Sequence, residues 1–468
     1  MNILLIHSDQ HRYDCVGANG LRGDVETPHL DRLAGEGTTF DMAFSTIPIC
    51  TPARASLMTG AWPTRHGSYC IPTSELNRAA RPDLPILTRL LADAGHRVAW
   101  TGKFHGETEE PPGPSHGVEE WIGPGSYPAW REQQKLPPRR REGGLFGNVD
   151  DGCPPEKSAL AWQADHVIRQ LEERRNDTFF IRWDPPEPHL PCQPTPAFAE
   201  RFAAAPIPPW TSFPDTLAGK PATQKRQVRI WNVEDWTWEQ WLPVVRLYYA
   251  IINEMDHHIG RVLAKLDELG LAGDTLVLYS SDHGDFCGGH GQMDKHFNMY
   301  EDIVRVPMIM RWPGRIPAGA RRDAFASASV DIAATILGAA GTEKPDTFAG
   351  ENLLPMATDP DLQPREYAFA QYFGTESGAY SMRMIRDRRY KLVYHPVGDL
   401  DEFYDLEEDP GELRNLLAPE HTGRREAAAP NIARLRKALF HTMREQDDPL
   451  ANRWTAVELG DAPNQPAG

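Results

Sequence analysis

Two apolar runs constrain the fold of this chain more than any other feature. Residues 2–8 read Asn-Ile-Leu-Leu-Ile-His-Ser, and residues 275–281 read Thr-Leu-Val-Leu-Tyr-Ser-Ser. Short, nearly continuous apolar runs mark strands buried in a parallel sheet, not half-exposed ones. Each run ends in a polar pair, Asp9-Gln10 after the first and Asp282-His283 after the second. Ligands of open α/β sheets bind beyond the carboxyl ends of the strands, so both pairs fall on the edge where chemistry occurs.

The remaining pattern alternates helices and strands. Apolar spacing predicts helices over 27–35, 52–59, 84–94, 159–174, 247–269 and 330–338, with Pro28 in a first turn and Gly60 as a stop. Further strands are predicted over 98–100, 178–183 and 306–311. Residues 106–157, rich in Pro, Gly and charge, read as a long surface excursion and a candidate lid. The stretch 205–241 carries Trp210, Trp231, Trp236, Trp238 and Trp241, which read mostly as packing, with some left to line a pocket. After about residue 365 the texture changes: 380–394 looks like a hairpin turning at Arg386-Asp387-Arg388-Arg389, and 431–444 like a closing helix. The expected fold is α/β, a large mixed and mostly parallel sheet sandwiched by helices over 1–365. A smaller C-terminal α+β domain with antiparallel strands is expected over 366–468. The Pro-rich tail after Ala462 reads as disordered.

Composition limits the partners. No run of about 18 apolar residues suggests a membrane span. The formal net charge of −17 argues against nucleic acid and requires any anion site to be a local cluster of Lys, Arg, His and metal. The first apolar run is too short for a signal-peptide core and lacks a basic lead. Cys15, Cys50, Cys70, Cys153, Cys192 and Cys287 are scattered without a CxxC pair, which is neither a disulfide framework nor a zinc pattern. The reading is a cytoplasmic chain.

The most informative stretch is Cys50-Thr51-Pro52-Ala53-Arg54-Ala55-Ser56-Leu57-Met58-Thr59-Gly60. Cys50 stands at the mouth of a helix begun by Pro52, where the helix end favours anions and a lowered thiol pKa. Arg54, one turn in, can point back to the same spot. Taken alone, a buried inert cysteine is the commoner outcome. The run Cys-x-Pro-x-Arg followed by Ala-Ser-Leu-Met-Thr-Gly resembles the signature of the type I sulfatases, within the alkaline-phosphatase-like superfamily. Texture around Asn253-Glu254-Met255-Asp256 and Tyr404-Asp405-Leu406 extends the resemblance over almost the full chain.

The resemblance implies that Cys50 is oxidised to formylglycine by a formylglycine-generating enzyme. It implies one divalent metal on Asp9, Gln10, Asp282, His283 and position 50. Calcium is the family's usual ion, and the imidazole also admits manganese. It implies that Arg54 holds the formylglycine, that Lys103 binds sulfate, and that His105 is the base for breakdown of the intermediate. His189 and Lys295 would bind sulfate and protonate the leaving oxygen. His290 and His296 match no family role and are placed behind the site, while His66 would shape the pocket. The implied activity is hydrolysis of a sulfated sugar or a small aryl or alkyl sulfate. Two other readings remain. Phosphonate monoester and phosphodiester hydrolases of the same superfamily share the Cys motif and the Asp-Gln and Asp-His pairs, but they typically carry neutral hydroxyl residues where Gly102-Lys103-Phe104-His105 stands. A non-catalytic binding protein would keep Cys50 as a thiol.

Overall fold

The computed structural model describes residues 1–72, 78–362, 365–374, 380–398 and 400–460. Its larger sheet has eight strands: β1 (Asn2–Ser8), β2 (Thr38–Phe44), β3 (Arg97–Gly102), β4 (Val118–Ile122), β5 (Phe179–Asp184), β6 (Thr275–Ser281), β7 (Met308–Arg311) and β8 (Ala320–Ser327). Their spatial order is β4-β3-β5-β1-β6-β7-β2-β8. Strand β1 pairs in parallel with β5 and β6, and among the described strands of this sheet only β7 runs antiparallel to its neighbours.

The two apolar runs are central because helices cover both faces. Every residue of β1 and of β6 is buried. Successive side chains of a strand face opposite ways. Leu4 and Ile6 join the core formed with the helices Ala159–Arg174 and Trp238–Glu268. Ile3 and Leu5 join the opposite core with Leu57, Leu91 and Ile336. Full burial of such a side chain contributes roughly 1.5–3 kcal/mol.

Strands β2, β4 and β8 were not expected, and their sequences explain why. The edge strands β4, Val-Glu-Glu-Trp-Ile, and β8, Ala-Arg-Arg-Asp-Ala-Phe-Ala-Ser, interrupt their apolar residues with charge. Charge on an edge guards against pairing with another chain. The excursion over 106–157 is therefore not wholly a surface loop, since β4 extends the sheet. Two helices begin earlier than expected, at Trp238 and at Thr422. Each runs through a proline, Pro243 and Pro430, where the backbone rule places a break. At Trp238 a capping box of Thr237 and Gln240 secures the start.

A second, antiparallel sheet consists of β9 (Ala368–Gly374), β10 (Tyr380–Arg386), β11 (Tyr390–Tyr394) and β12 (Glu402–Asp405), in the order β12-β11-β10-β9. Its Ile385 and Leu392 pack on Leu435 and Leu439 of the helix Thr422–Glu445, and its Met382 and Met384 on Phe44, Ile303 and Phe325. Among the described residues no helix is long and apolar enough to cross a membrane. The six cysteines are free and buried. The tail after Ala462, read as disordered, lies outside the described residues.

Candidate active site

The register of the two central strands builds the site. Ser8 lies beside Ser281, so the polar pairs that follow emerge side by side at the carboxyl edge. Side-chain atoms of Asp9, Cys50, Asp282 and His283 all lie within 4.8 Å of one another, and all four residues are buried. Cys50 opens the helix Cys50–Thr59, every residue of which is buried. Its Sγ lies 3.2 Å from His283 Nε2 and 3.6 Å from Asp9 Oδ1. Arg54, on the same helix, is fully buried among carboxylates. Its Nε donates to Asp282 Oδ2 at 2.8 Å, Nη2 lies 3.3 Å from Asp9 Oδ2, and Nη1 lies 3.4 Å from Asp184 Oδ1.

These residues fit a divalent cation. Two carboxylates and an imidazole converge without solvent, a donor set suited to a hard or borderline ion. His283 Nδ1 donates to the Gly284 carbonyl at 2.8 Å, which leaves the Nε2 lone pair facing the other three groups. A hydrogen bond of this kind orients an imidazole as a ligand. Gln10 adjoins the cluster differently. Its backbone N–H donates to Asp282 Oδ1 at 3.1 Å, while its side-chain Nε2 donates to Asp285 and Asp294.

Cations close the other side. Lys103 forms an ion pair with Asp9. Lys295 Nζ donates to Gln10 Oε1 at 2.9 Å and to His189 Nε2 at 2.8 Å, and lies 3.0 Å from Asp294 Oδ1. His189 Nδ1 donates to the Leu190 carbonyl at 2.6 Å, which leaves Nε2 as the acceptor. The His105 backbone N–H donates to Glu107 at 2.7 Å, and its ring stands 3.2 Å from Thr51 Oγ1 and within hydrogen-bond reach of Cys50. Burial alone would push the Cys50 thiol up, but Lys103, Lys295 and His283 hold it well below its ordinary value. Burial likewise opposes the Lys103 charge, but Asp9 and Cys50 keep it above the usual lysine range. Position 50 is thus built for a negatively charged atom.

Lys103 is aimed by Gly102, which ends β3 with φ of +108°. A Cβ there would run into the Asp184 carbonyl. We expect Gly102→Ala to cost about 2 kcal/mol or more, from left-handed strain and this clash, and to reduce turnover by misplacing Lys103. Urea unfolding with parallel kinetics checks this; an unchanged midpoint would refute it.

Asp9, Cys50, Arg54, Lys103, His105, His189, Asp282, His283 and Lys295, all singled out in the sequence, therefore meet in one place, with Gln10 between Asp282 and Lys295. His296 lies 3.5 Å from Asp294, the carboxylate that also holds Lys295. His290 turns elsewhere, 2.7 Å from Asp215 and stacked on Tyr300. His66 bonds Ser56 at 3.0 Å and braces the helix behind Cys50; it does not line the cavity described below. The sequence reading missed Asp184, Asp285, Asp294 and Glu107. Asp184 ends β5 on the same edge as Asp9, so the rule that found Asp9 could have found it.

A cavity of about 640 Å³ opens over Lys103 and His189. Its far wall comes from the excursion, through Tyr127, Arg131 and Arg139. The Trp-rich stretch, some of which was expected to line a pocket, contributes nothing to this cavity among the described residues. Trp210 and Trp241 are buried in the core, and Trp231, Trp236 and Trp238 pack against it.

The mixed sheet thus carries a buried Asp, Cys and His cluster at the carboxyl ends of its central strands. Residues 1–342 match the family model described as Sulfatase, and 288–438 match the model described as N-sulphoglucosamine sulphohydrolase, C-terminal. The chain belongs to the sulfatase family, whose members are sulfuric ester hydrolases. It is 26% identical to an N-acetylglucosamine-6-O-sulfatase of Bacteroides thetaiotaomicron, over 89% of this chain and 82% of that one. It is 27% identical to an arylsulfatase of Clostridium perfringens, over 96% and 95%. Among solved structures, a phosphonate monoester hydrolase from Silicibacter pomeroyi superposes with a TM-score of 0.81 at 24% identity, covering 96% of each chain, a likeness of fold.

Proposed function

We propose that the protein hydrolyses sulfate esters of saccharides, using a formylglycine derived from Cys50 and one divalent cation held by Asp9, Gln10, Asp282, His283 and position 50. The observation that carries this reading is the convergence of Asp9, Cys50, Asp282 and His283 within 4.8 Å, rimmed by Lys103 and Lys295. The saccharide preference draws on the named glucosamine sulfatase relative. A bound cation would neutralise sulfate charge and make a hydroxyl at position 50 more acidic. Formylglycine hydrate would supply two hydroxyls on one carbon, one to attack sulfur and one to expel sulfate.

The chain's own residues do the rest. Lys103 and Lys295 bind sulfate oxygens and stabilise charge as the S–O bond breaks. Lys295 and His189, hydrogen-bonded to each other, deliver a proton to the leaving alcohol. His105, beside position 50, takes the proton released when sulfate departs. Arg54 neutralises Asp9, Asp184 and Asp282 and so fixes the carboxylates around position 50. A formylglycine-generating enzyme is the proposed partner in maturation.

The mass of the peptide carrying Cys50, from protein made in its native host, tests the nucleophile: replacement of thiol by aldehyde is expected, and an intact cysteine would overturn the reading. Chelation tests the metal. Dialysis against EDTA should lower sulfate release at least ~100-fold, a rise of about 2.7 kcal/mol or more in the barrier. Restoration by Ca²⁺ or by Mn²⁺ identifies the ion, and full activity in EDTA would exclude a metal requirement.

A second reading, phosphonate monoester hydrolysis, is favoured by the Asp9-Gln10 and Asp282-His283 pairs. Lys103 and His105 weigh against it. Comparing kcat/KM for phenyl phosphonate and aryl sulfate esters decides: much faster turnover of the phosphonate would replace the sulfate reading.

A further inference from the structure

One carboxylate in the cavity has no role in the chemistry above. Glu187 lies in the run Pro186-Glu187-Pro188-His189, two residues before the proposed proton donor. Its backbone carbonyl accepts from Asp9 N–H at 3.3 Å, which ties this loop to the metal cluster. The side chain is only 8% exposed, yet it lines the cavity together with Lys103 and His189. Its Oε2 has no hydrogen-bond partner. Among the described residues no cation is paired with it. Arg139, which also lines the cavity, acts on Glu187 through space, while its guanidinium lies 3.4 Å from Asp150 and 5.2 Å from the Tyr127 ring centre.

Gln163, which also lines the cavity, hydrogen-bonds the carboxylate, but the buried Oε2 is left over. Buried polar atoms are nearly always satisfied, so such an oxygen beside a reacting centre calls for an explanation. A sulfate cannot supply the partner, because both groups are anionic. Glu187 therefore serves the alcohol half of the ester. A carboxylate accepts hydrogen bonds and a guanidinium donates them, so a polyol placed between Glu187 and Arg139 satisfies both. Tyr127 and Trp162 add aromatic surface to the lining, and the volume suits a small sugar.

We propose that Glu187 is a specificity-determining residue: it accepts a hydrogen bond from a free hydroxyl near the sulfated carbon and so selects saccharide sulfates over sulfates that lack such a donor. This rests on the sulfatase reading above. The test uses the full chain, with formylglycine verified by mass and metal bound. It measures kcat/KM for 4-nitrophenyl sulfate and for the 2-, 3-, 4- and 6-sulfates of glucose, galactose and N-acetylglucosamine. For the sugar ester that the wild type cleaves best, Glu187→Ala should lower the ratio of sugar to aryl kcat/KM by about tenfold or more. Glu187→Gln, which keeps one acceptor oxygen, should lower it less. Equal losses on both esters would mean a structural role and overturn the proposal. So would aryl turnover with no turnover of any sugar sulfate, an outcome that leaves the sulfatase reading standing. Failure of the verified enzyme on both esters overturns that reading, and this inference with it.

Discussion

Cys50→Ala should abolish sulfate-ester turnover, with kcat falling about 10⁴-fold or more, as when a nucleophile is removed from a unit that acts together. Position 50 is the centre on which the charges of Lys103 and Lys295 and the ring nitrogens of His283 and His105 converge. The neighbouring hydroxyl, on Thr51, already donates to the His105 carbonyl at 2.9 Å, so no spare nucleophile stands ready. Cys50→Ser should fare little better. A serine can attack sulfur, but the resulting alkyl sulfate has no second hydroxyl to expel the group, so turnover should stop near one equivalent. Ion chromatography of released sulfate measures both variants. An alanine variant within tenfold of wild type would sink the assignment of position 50.

Arg54→Met should be the most destabilising of these changes, by about 3–5 kcal/mol. The guanidinium is wholly buried and reaches Asp9, Asp184 and Asp282 at 2.8–3.4 Å. Removing it leaves buried Asp282 without an Arg or Lys partner among the described residues, since Lys103 still pairs with Asp9 and Arg182 with Asp184. Arg54→Lys should recover part of the loss, since one point charge cannot span three carboxylates with a planar fork. Urea unfolding of metal-free protein is the measurement, because a bound cation would mask the missing charge. A change below about 1 kcal/mol would show that burial and hydration are not arranged as described.

How much of this was legible in the sequence depends on where each residue sits. The inner strands β1 and β6 were readable because burial on both faces writes a nearly unbroken apolar run, and β5 because Phe179, Phe180 and Ile181 open it. Strands β4 and β8 were not, since each is a sheet edge whose charges make sense only beside solvent. Asp9 and Asp282 could be placed because strand ends mark chemistry whatever the rest of the fold. Glu187 could not be singled out: its meaning lies in facing a cavity whose opposite wall, Arg139, is 48 positions away in the chain. Gln10 shows a finer limit. Its type and position suggested a ligand, but the direction of its side chain depends on Asp285 and Asp294, which arrive from a distant loop.

The order of the strands has a consequence for how such a molecule can change over generations. The reacting groups ride on the inner strands and on the helix Cys50–Thr59, whose register tolerates no slippage. The cavity wall built by Tyr127, Arg131 and Arg139 follows β4, the outermost strand of this sheet among the described residues. Insertions and deletions between β4 and the helix Ala159–Arg174 can therefore rebuild that wall without disturbing Asp9, Lys103, His105 or Asp282. Grafting residues 123–141 from a relative should transplant a preference while the hydrolytic step persists.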